Sequence, residues 1–227
     1  MVSFVQIAEI FYFGNGTATI TIVSTQPRTQ GNRNVVLVNW YQSNQHATVG
    51  VLSVVDTDGN TYSPIGASII SGSYGVGAWE CRSIKGASGS NTITITLDGT
   101  TAGNYNGAGC SEYSGANPGA ASYGYAFNSG GSGTTSVSLT PATVGDVLVA
   151  WFGVTDASTT GNLNTLRGTL QPSPSEPDSL WDEYTSTSLA AHAVGGTATD
   201  FSCVVGVLIP QANQTSVIDP VFFGVNF

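Results

Sequence analysis

The stretch NTITITL, Asn91 to Leu97, alternates hydroxyl-bearing and apolar β-branched side chains with a period of two. Successive side chains of an extended chain point to opposite faces, so Ile93, Ile95 and Leu97 share one face and Thr92, Thr94 and Thr96 the other. One face is made to pack and the other to meet water, as in an antiparallel strand covered on one side. A helix would scatter the same residues around its circumference.

Working outward, related patterns recur in TATITIVS (17–24), NVVLVNWY (34–41), TVGVLSVVD (48–56), AWECRSI (78–84), TTSVSL (134–139), DVLVAWFGV (146–154) and FSCVVGVLI (201–209). Turn-forming clusters such as GNGT, TDGN, GASGSN and NSGGSG separate them. Helix formers are scarce and no helical pattern of ten residues intervenes. These features predict an all-β chain, a two-sheet antiparallel β-sandwich with jelly-roll or Greek-key topology. The continuous runs VVLV and VLVAWFGV read as central strands, buried on the core side and partly covered on the other. The 227 residues suit one sandwich domain, and residues 217–227 are expected as a C-terminal docking strand. No internal repeat is visible. The segment LQPSPSEPDSLWDEY (170–184) is expected to be irregular because Pro172, Pro174 and Pro177 interrupt ladder bonding.

Only 8% of residues are charged, and 14 acids against five bases give a net charge of -9. Such a chain cannot neutralise a run of phosphates, which argues against nucleic acid and anionic membranes as partners. No apolar run approaches the roughly 20 residues of a spanning helix, so membrane insertion is not expected. The N-terminal stretch has no basic segment, carries Glu9 within its apolar part and lacks an Ala-x-Ala site, so it does not read as a signal peptide. A surface poor in Lys and Glu but rich in Ser, Thr and Asn suggests an extracellular, cell-surface or virion setting. Cys81, Cys110 and Cys203 fit no zinc spacing and read as buried apolar residues.

The run VLSVVDTDGNTY (51–62) raises three chemistries. A phosphatase nucleophile at Asp56 with Asp58 as acid would need a parallel sheet, a phosphate-binding lysine and a distal acid pair, and Lys85 is the sole lysine. Asp56, Asp58 and Asn60 alternate oxygen donors like the first half of a calcium loop, but Ala67 stands where a bidentate Glu belongs. A hairpin turn accounts for every residue, so the expectation is no cofactor, with calcium at these three residues as the weaker reading.

The segments GNRNVVLVNW (31–40), VLSVVDTDGNTYSPI (51–65), SEYSGA (111–116) and ATVGDVLVAWFG (142–153), in this order and spacing, resemble an uncharacterised β-sandwich module of bacterial surface and secreted proteins and some phage structural proteins. The resemblance runs from about Phe4 to Ile209. It implies a jelly-roll-like sandwich in an exposed setting and names no catalytic residue.

Glu80 and Glu112 are strand acids that could pair as in a glycosidase, although Arg82 on the strand of Glu80 offers it an ion pair. His192 lacks a Ser-His-Asp context. Trp181 and Tyr184, with Asp178 and Asp182, could stack on and hydrogen-bond a sugar. At the ends, FVQIAEIFYF and VIDPVFFGVNF are apolar and strand-prone, making Phe4, Ile7, Phe11, Phe222, Phe223 and Phe227 candidate assembly contacts. The expected function is therefore a non-enzymatic structural subunit of an extracellular assembly, a virion or tail component or a surface filament, forming a homo-oligomer or polymer by strand addition. The alternative is a carbohydrate-binding module, with glycans as partners and calcium assistance.

Overall fold

The computed structural model describes residues 1–12, 18–41, 49–71, 74–86, 89–100, 106–154, 159–170, 179–199 and 202–212, which form β-strands and contain no helix. The first half comprises β1 (Ser3–Tyr12), β2 (Thr19–Ser24), β3 (Arg33–Tyr41), β4 (Val51–Asp56), β5 (Ser63–Pro64), β6 (Ile69–Ser71), β7 (Tyr74–Cys81), β8 (Asn91–Leu97) and β9 (Asn106–Ser114). The second comprises β10 (Tyr123–Gly130), β11 (Gly133–Leu139), β12 (Val147–Val154), β13 (Thr159–Asn162), β14 (Thr165–Leu170), β15 (Ser179–Thr185), β16 (His192–Ala198) and β17 (Ser202–Ile209). Every pairing is antiparallel.

The two halves have the same strand order. In the first, the sheet β1-β9-β3-β7-β5, with β6 also on β7, lies under a three-stranded sheet β2-β8-β4. In the second, β10-β17-β12-β15-β14 lies under β11-β16-β13. Replacing each strand by its counterpart in chain order converts one description into the other, with β14 in the place of β5. Each half is thus a two-sheet antiparallel sandwich. A short counterpart of the topological repeat stands in the sequence, which corrects the expectation of no internal repeat: PRTQGN (27–32) and PATVGD (141–146) precede β3 and β12, and those strands carry VLVNWY (36–41) and VLVAWF (147–152), with Gly31 and Gly145 both at positive φ.

Three apolar cores join the four sheets in one stack. Ile20, Ile22, Ile93 and Ile95 from the first outer sheet pack on Val36, Val38, Trp40 and Cys110. Val35, Leu37, Val76 and Ala78 on the opposite face of that inner sheet pack on Val147, Val149, Trp151, Trp181, Val205 and Val207. Leu148, Ala150, Phe152 and Val204 then face Val137, Leu139 and Val194 of the last sheet. Residues 33–40 of β3 and 147–153 of β12 are therefore buried on both faces, beyond the partial second covering expected of them. A strand with no polar face must be covered twice, and stacking the two sandwiches supplies the second cover.

Glycine makes room where the halves meet. A Cβ on Gly109 would stand 3.0 Å from the rings of both Trp151 and Trp181. The indoles, 6.3 Å apart, occupy that space, with Trp181 Nε1 donating to Tyr113 Oη (3.0 Å) and Trp151 Nε1 to Asn39 Oδ1 (2.6 Å). Buried indole N–H groups thus find partners across the interface.

Two local expectations are corrected. β15 is a regular strand between β12 and β14 within the stretch expected to be irregular, because all three prolines precede Ser179. The turn after β4 does not close a hairpin: β4 lies in the outer sheet and β5 in the inner one, so Thr57–Tyr62 carries the chain between layers.

Candidate functional site

With so few charges, each ionisable side chain inside a strand requires a partner. Within the acidic turn Asp56 meets this requirement, whereas Asp58 Oδ2 has no hydrogen-bond partner among the described residues. Asp56 Oδ1 accepts from the Asn60 amide (2.9 Å), and Oδ2 from Asn60 Nδ2 (2.7 Å), Tyr62 Oη (3.1 Å) and Asn91 Nδ2 (3.1 Å). Asn60 Oδ1 accepts from the Lys85 amide (2.8 Å), and Gly59 takes φ +67°. Partial burial pushes the Asp56 pKa up, but the four hydrogen bonds outweigh it and hold the carboxyl below the ordinary range. Asp58, by contrast, is raised, first by burial and then by the neighbouring Asp56 charge. The oxygens that calcium would take from Asp56 and Asn60 already accept hydrogen bonds, so the geometry is that of a cross-layer turn.

Glu80 and Glu112 do not form a pair. Glu80 shares the face of Val76 and Ala78, toward the second half, whereas Glu112 shares the face of Ala108 and Cys110, toward the first outer sheet. The inner sheet separates them. Glu80 meets Arg33 at 3.1 Å, and both side chains are essentially fully buried. Arg33 also donates to Ser122 Oγ (2.9 Å) and to the carbonyls of Asn117 (2.6 Å) and Ala120 (2.5 Å), while Ser122 donates its amide and hydroxyl to Glu80. This ion pair fastens residues 117–122, the connection between the halves. Arg82 Nε closes on Glu80 Oε1 from outside at 2.9 Å.

Glu112 is held differently. It accepts from the Thr29 amide (2.9 Å), Asn32 Nδ2 (2.6 Å) and Gln6 Nε2 (2.6 Å). Arg28, fully buried, stands 3.8 Å away, and none of its three guanidinium nitrogens has a hydrogen-bond partner among the described residues.

Of the residues expected to contact sugar, Trp181 is wholly buried between the halves and offers no ring face to a ligand. Asp182 is equally buried and accepts from the Asn164 amide (2.7 Å), Asn164 Nδ2 (2.7 Å) and the Gly195 amide (3.0 Å). Both are therefore excluded as a stacking platform and an exposed hydroxyl acceptor. Alternation explains the contrast with Tyr184: Trp181 faces the central core, whereas half-buried Tyr184 packs beside the last core. Its ring stacks on His192 at 3.5 Å with planes 12° apart. Asn164 Nδ2 donates to Asp182 and Ala193, which leaves Oδ1 as the acceptor and assigns the proton to His192 Nε2 (2.7 Å). His192 is thus tied to a structural Asn–Asp chain. Asp178 lies outside the described residues.

Among the assembly candidates, Phe4 and Ile7 are half-buried and pack inward on the central core. Arg167, paired with Glu183 at 2.6 Å, lies 4.8 Å over the Phe4 ring and so joins β1 to the second half. Phe11's side chain and Phe222, Phe223 and Phe227 lie outside the described residues. β1 itself is a ten-residue edge strand whose described partner in the sheet is β9. Cys81, Cys110 and Cys203 are free and buried; burial pushes the Cys110 thiol up to about 11 and that of Cys203 up to about 12.

The sequence did not reveal Arg33 as the fastening of the interhalf connection or Asn164 as the link from Asp182 to His192. A charge within an apolar strand signals the first only in part, since its partners lie up to 89 positions away. No protein-family model, curated protein or solved structure matches this chain.

Proposed function

We propose that the chain is a non-catalytic structural subunit of an extracellular assembly, with β1 as the edge onto which a neighbouring subunit adds a strand. The observation that carries this reading is the ten-residue length of that edge. A strand at the border of a sheet presents a row of amide and carbonyl groups that template further pairing. Inward commitment of Phe4 and Ile7 makes the backbone, rather than those side chains, the adhesive element. Engagement of Glu80, Glu112 and Asp182 in internal hydrogen bonds favours a scaffold over acid–base chemistry.

Light scattering across a concentration series tests the proposal. The full chain is expected to form oligomers, and Val5→Lys, which puts a charge on a position that is 41% exposed in β1, should shift them toward monomer. Deleting 217–227 tests whether that segment contributes to the contact. A full chain that stays monomeric at every concentration reached would overturn the reading, as would oligomers insensitive to both changes.

A further inference from the structure

We propose that the cleft lined by Arg82 and Lys85, together with Thr61, Ser63, Ser83 and the paired carboxylate of Glu80, binds a small acidic sugar through its carboxylate and adjacent hydroxyls. The chain has five Lys and Arg residues. Arg28 and Arg33 are fully buried, and Arg167 is committed to Glu183 and Phe4. The other two, Arg82 and Lys85, line the same cleft. In a molecule of net charge -9, this convergence makes a local positive site. At physiological ionic strength, charges more than about 8 Å away are largely screened, so the local groups set the potential: Arg82 and Lys85, with Glu80 already paired to Arg33.

Arg82 Nε is fixed on Glu80 Oε1 at 2.9 Å, while its side chain remains 42% exposed. This leaves the paired Nη groups, whose planar fork matches a carboxylate. Glu80 does not cancel the charge, because Arg33 neutralises it from behind at 3.1 Å. Lys85 Nζ is steadied by the Gly59 carbonyl and keeps further N–H donors.

Glu80 and Cys81 complete the lining beside three hydroxyl side chains. Thr61, Ser63 and Ser83 bring hydroxyls that can both donate and accept, which suits a polyhydroxylated ligand. The cleft encloses about 400 Å³, within the range of small-molecule sites. It lies by β5, at the opposite border of the sheet from β1, so subunits joined through β1 would leave it open.

Titration calorimetry and amide NMR with galacturonate, galactose and inorganic sulfate provide the test. Galacturonate is expected to bind and shift the amides of residues 61–63 and 82–85, with galactose and sulfate each at least about tenfold weaker. Arg82→Gln and Lys85→Gln should each weaken galacturonate by about tenfold, as expected for loss of a charged hydrogen bond. Both positions are exposed, and unchanged thermal melts will show that the variants are folded. No galacturonate binding, or binding insensitive to both substitutions, would overturn the inference. Equal binding of galactose would remove the ionic component, and equal binding of sulfate the sugar component, either of which also overturns it.

Discussion

The two buried arginines provide a controlled comparison. Both side chains are 0% exposed and both lie near a buried glutamate, yet among the described residues Arg33 alone of the two makes hydrogen bonds, to Ser122, Asn117 and Ala120, and it stands at 3.1 Å from its acid. Arg33→Met would leave Glu80 with Ser122 and the outer Arg82, and would strip two carbonyls of their donor. Breaking a buried pair costs about 3–5 kcal/mol. The carbonyls lie on a half-buried connection that water can reach, so their loss adds little, and we expect a total of about 4 kcal/mol. For a chain of this length, that corresponds to a fall in melting temperature of about 10 °C. Arg28→Met removes a guanidinium that makes no hydrogen bond among the described residues, while Glu112 keeps Thr29, Asn32 and Gln6. Its cost should be smaller than that of Arg33→Met, because the guanidinium stands 3.8 Å from Glu112, makes no hydrogen bond to it, and is relieved of its own desolvation. Urea unfolding followed by tryptophan fluorescence gives both values, and hydrogen exchange on residues 117–122 should quicken in the Arg33 variant alone. Equal losses for the two variants, or protection at 117–122 unchanged by Arg33→Met, would refute the assignment of Arg33 as the interhalf fastening.

Gly109→Val should cost several kcal/mol, on the order of 3, by overpacking the two indoles, and a melt would register it. Trp181→Ala should cost about 3–5 kcal/mol as a core cavity, whereas Tyr184→Ala should cost clearly less; similar losses would contradict the burial difference. Asp56 has a folded pKa below its unfolded one, so its contribution to stability is complete above the ordinary carboxylate range and is lost as pH falls through the folded value. Asp56→Asn should therefore flatten the acid limb of a stability–pH profile, and an unchanged limb would count against the hydrogen-bonded turn. The three thiols should resist an aromatic disulfide reagent in the native protein and all react after unfolding; rapid native labelling would contradict their burial.

Strand identity was legible in the sequence because it is local. The period of two in 91–97 and the unbroken apolar runs at 35–38 and 147–152 report directly on how many faces of a strand are covered. The turn at 57–60 was legible for the same reason, since glycine at positive φ follows from its missing Cβ. What covers a face is not local. The order in which strands pair and the stacking of four sheets arise from contacts between distant segments, and the short likeness of 27–41 to 141–152 hints at the repeat without fixing that order. Trp181 illustrates the limit: beside acids and prolines it resembles a surface aromatic, and only the pairing of β15 with β12 turns its ring into the interhalf core. Likewise, Arg33 and Glu80 are two charges 47 positions apart until the packed halves exclude water from both and make each the other's required partner.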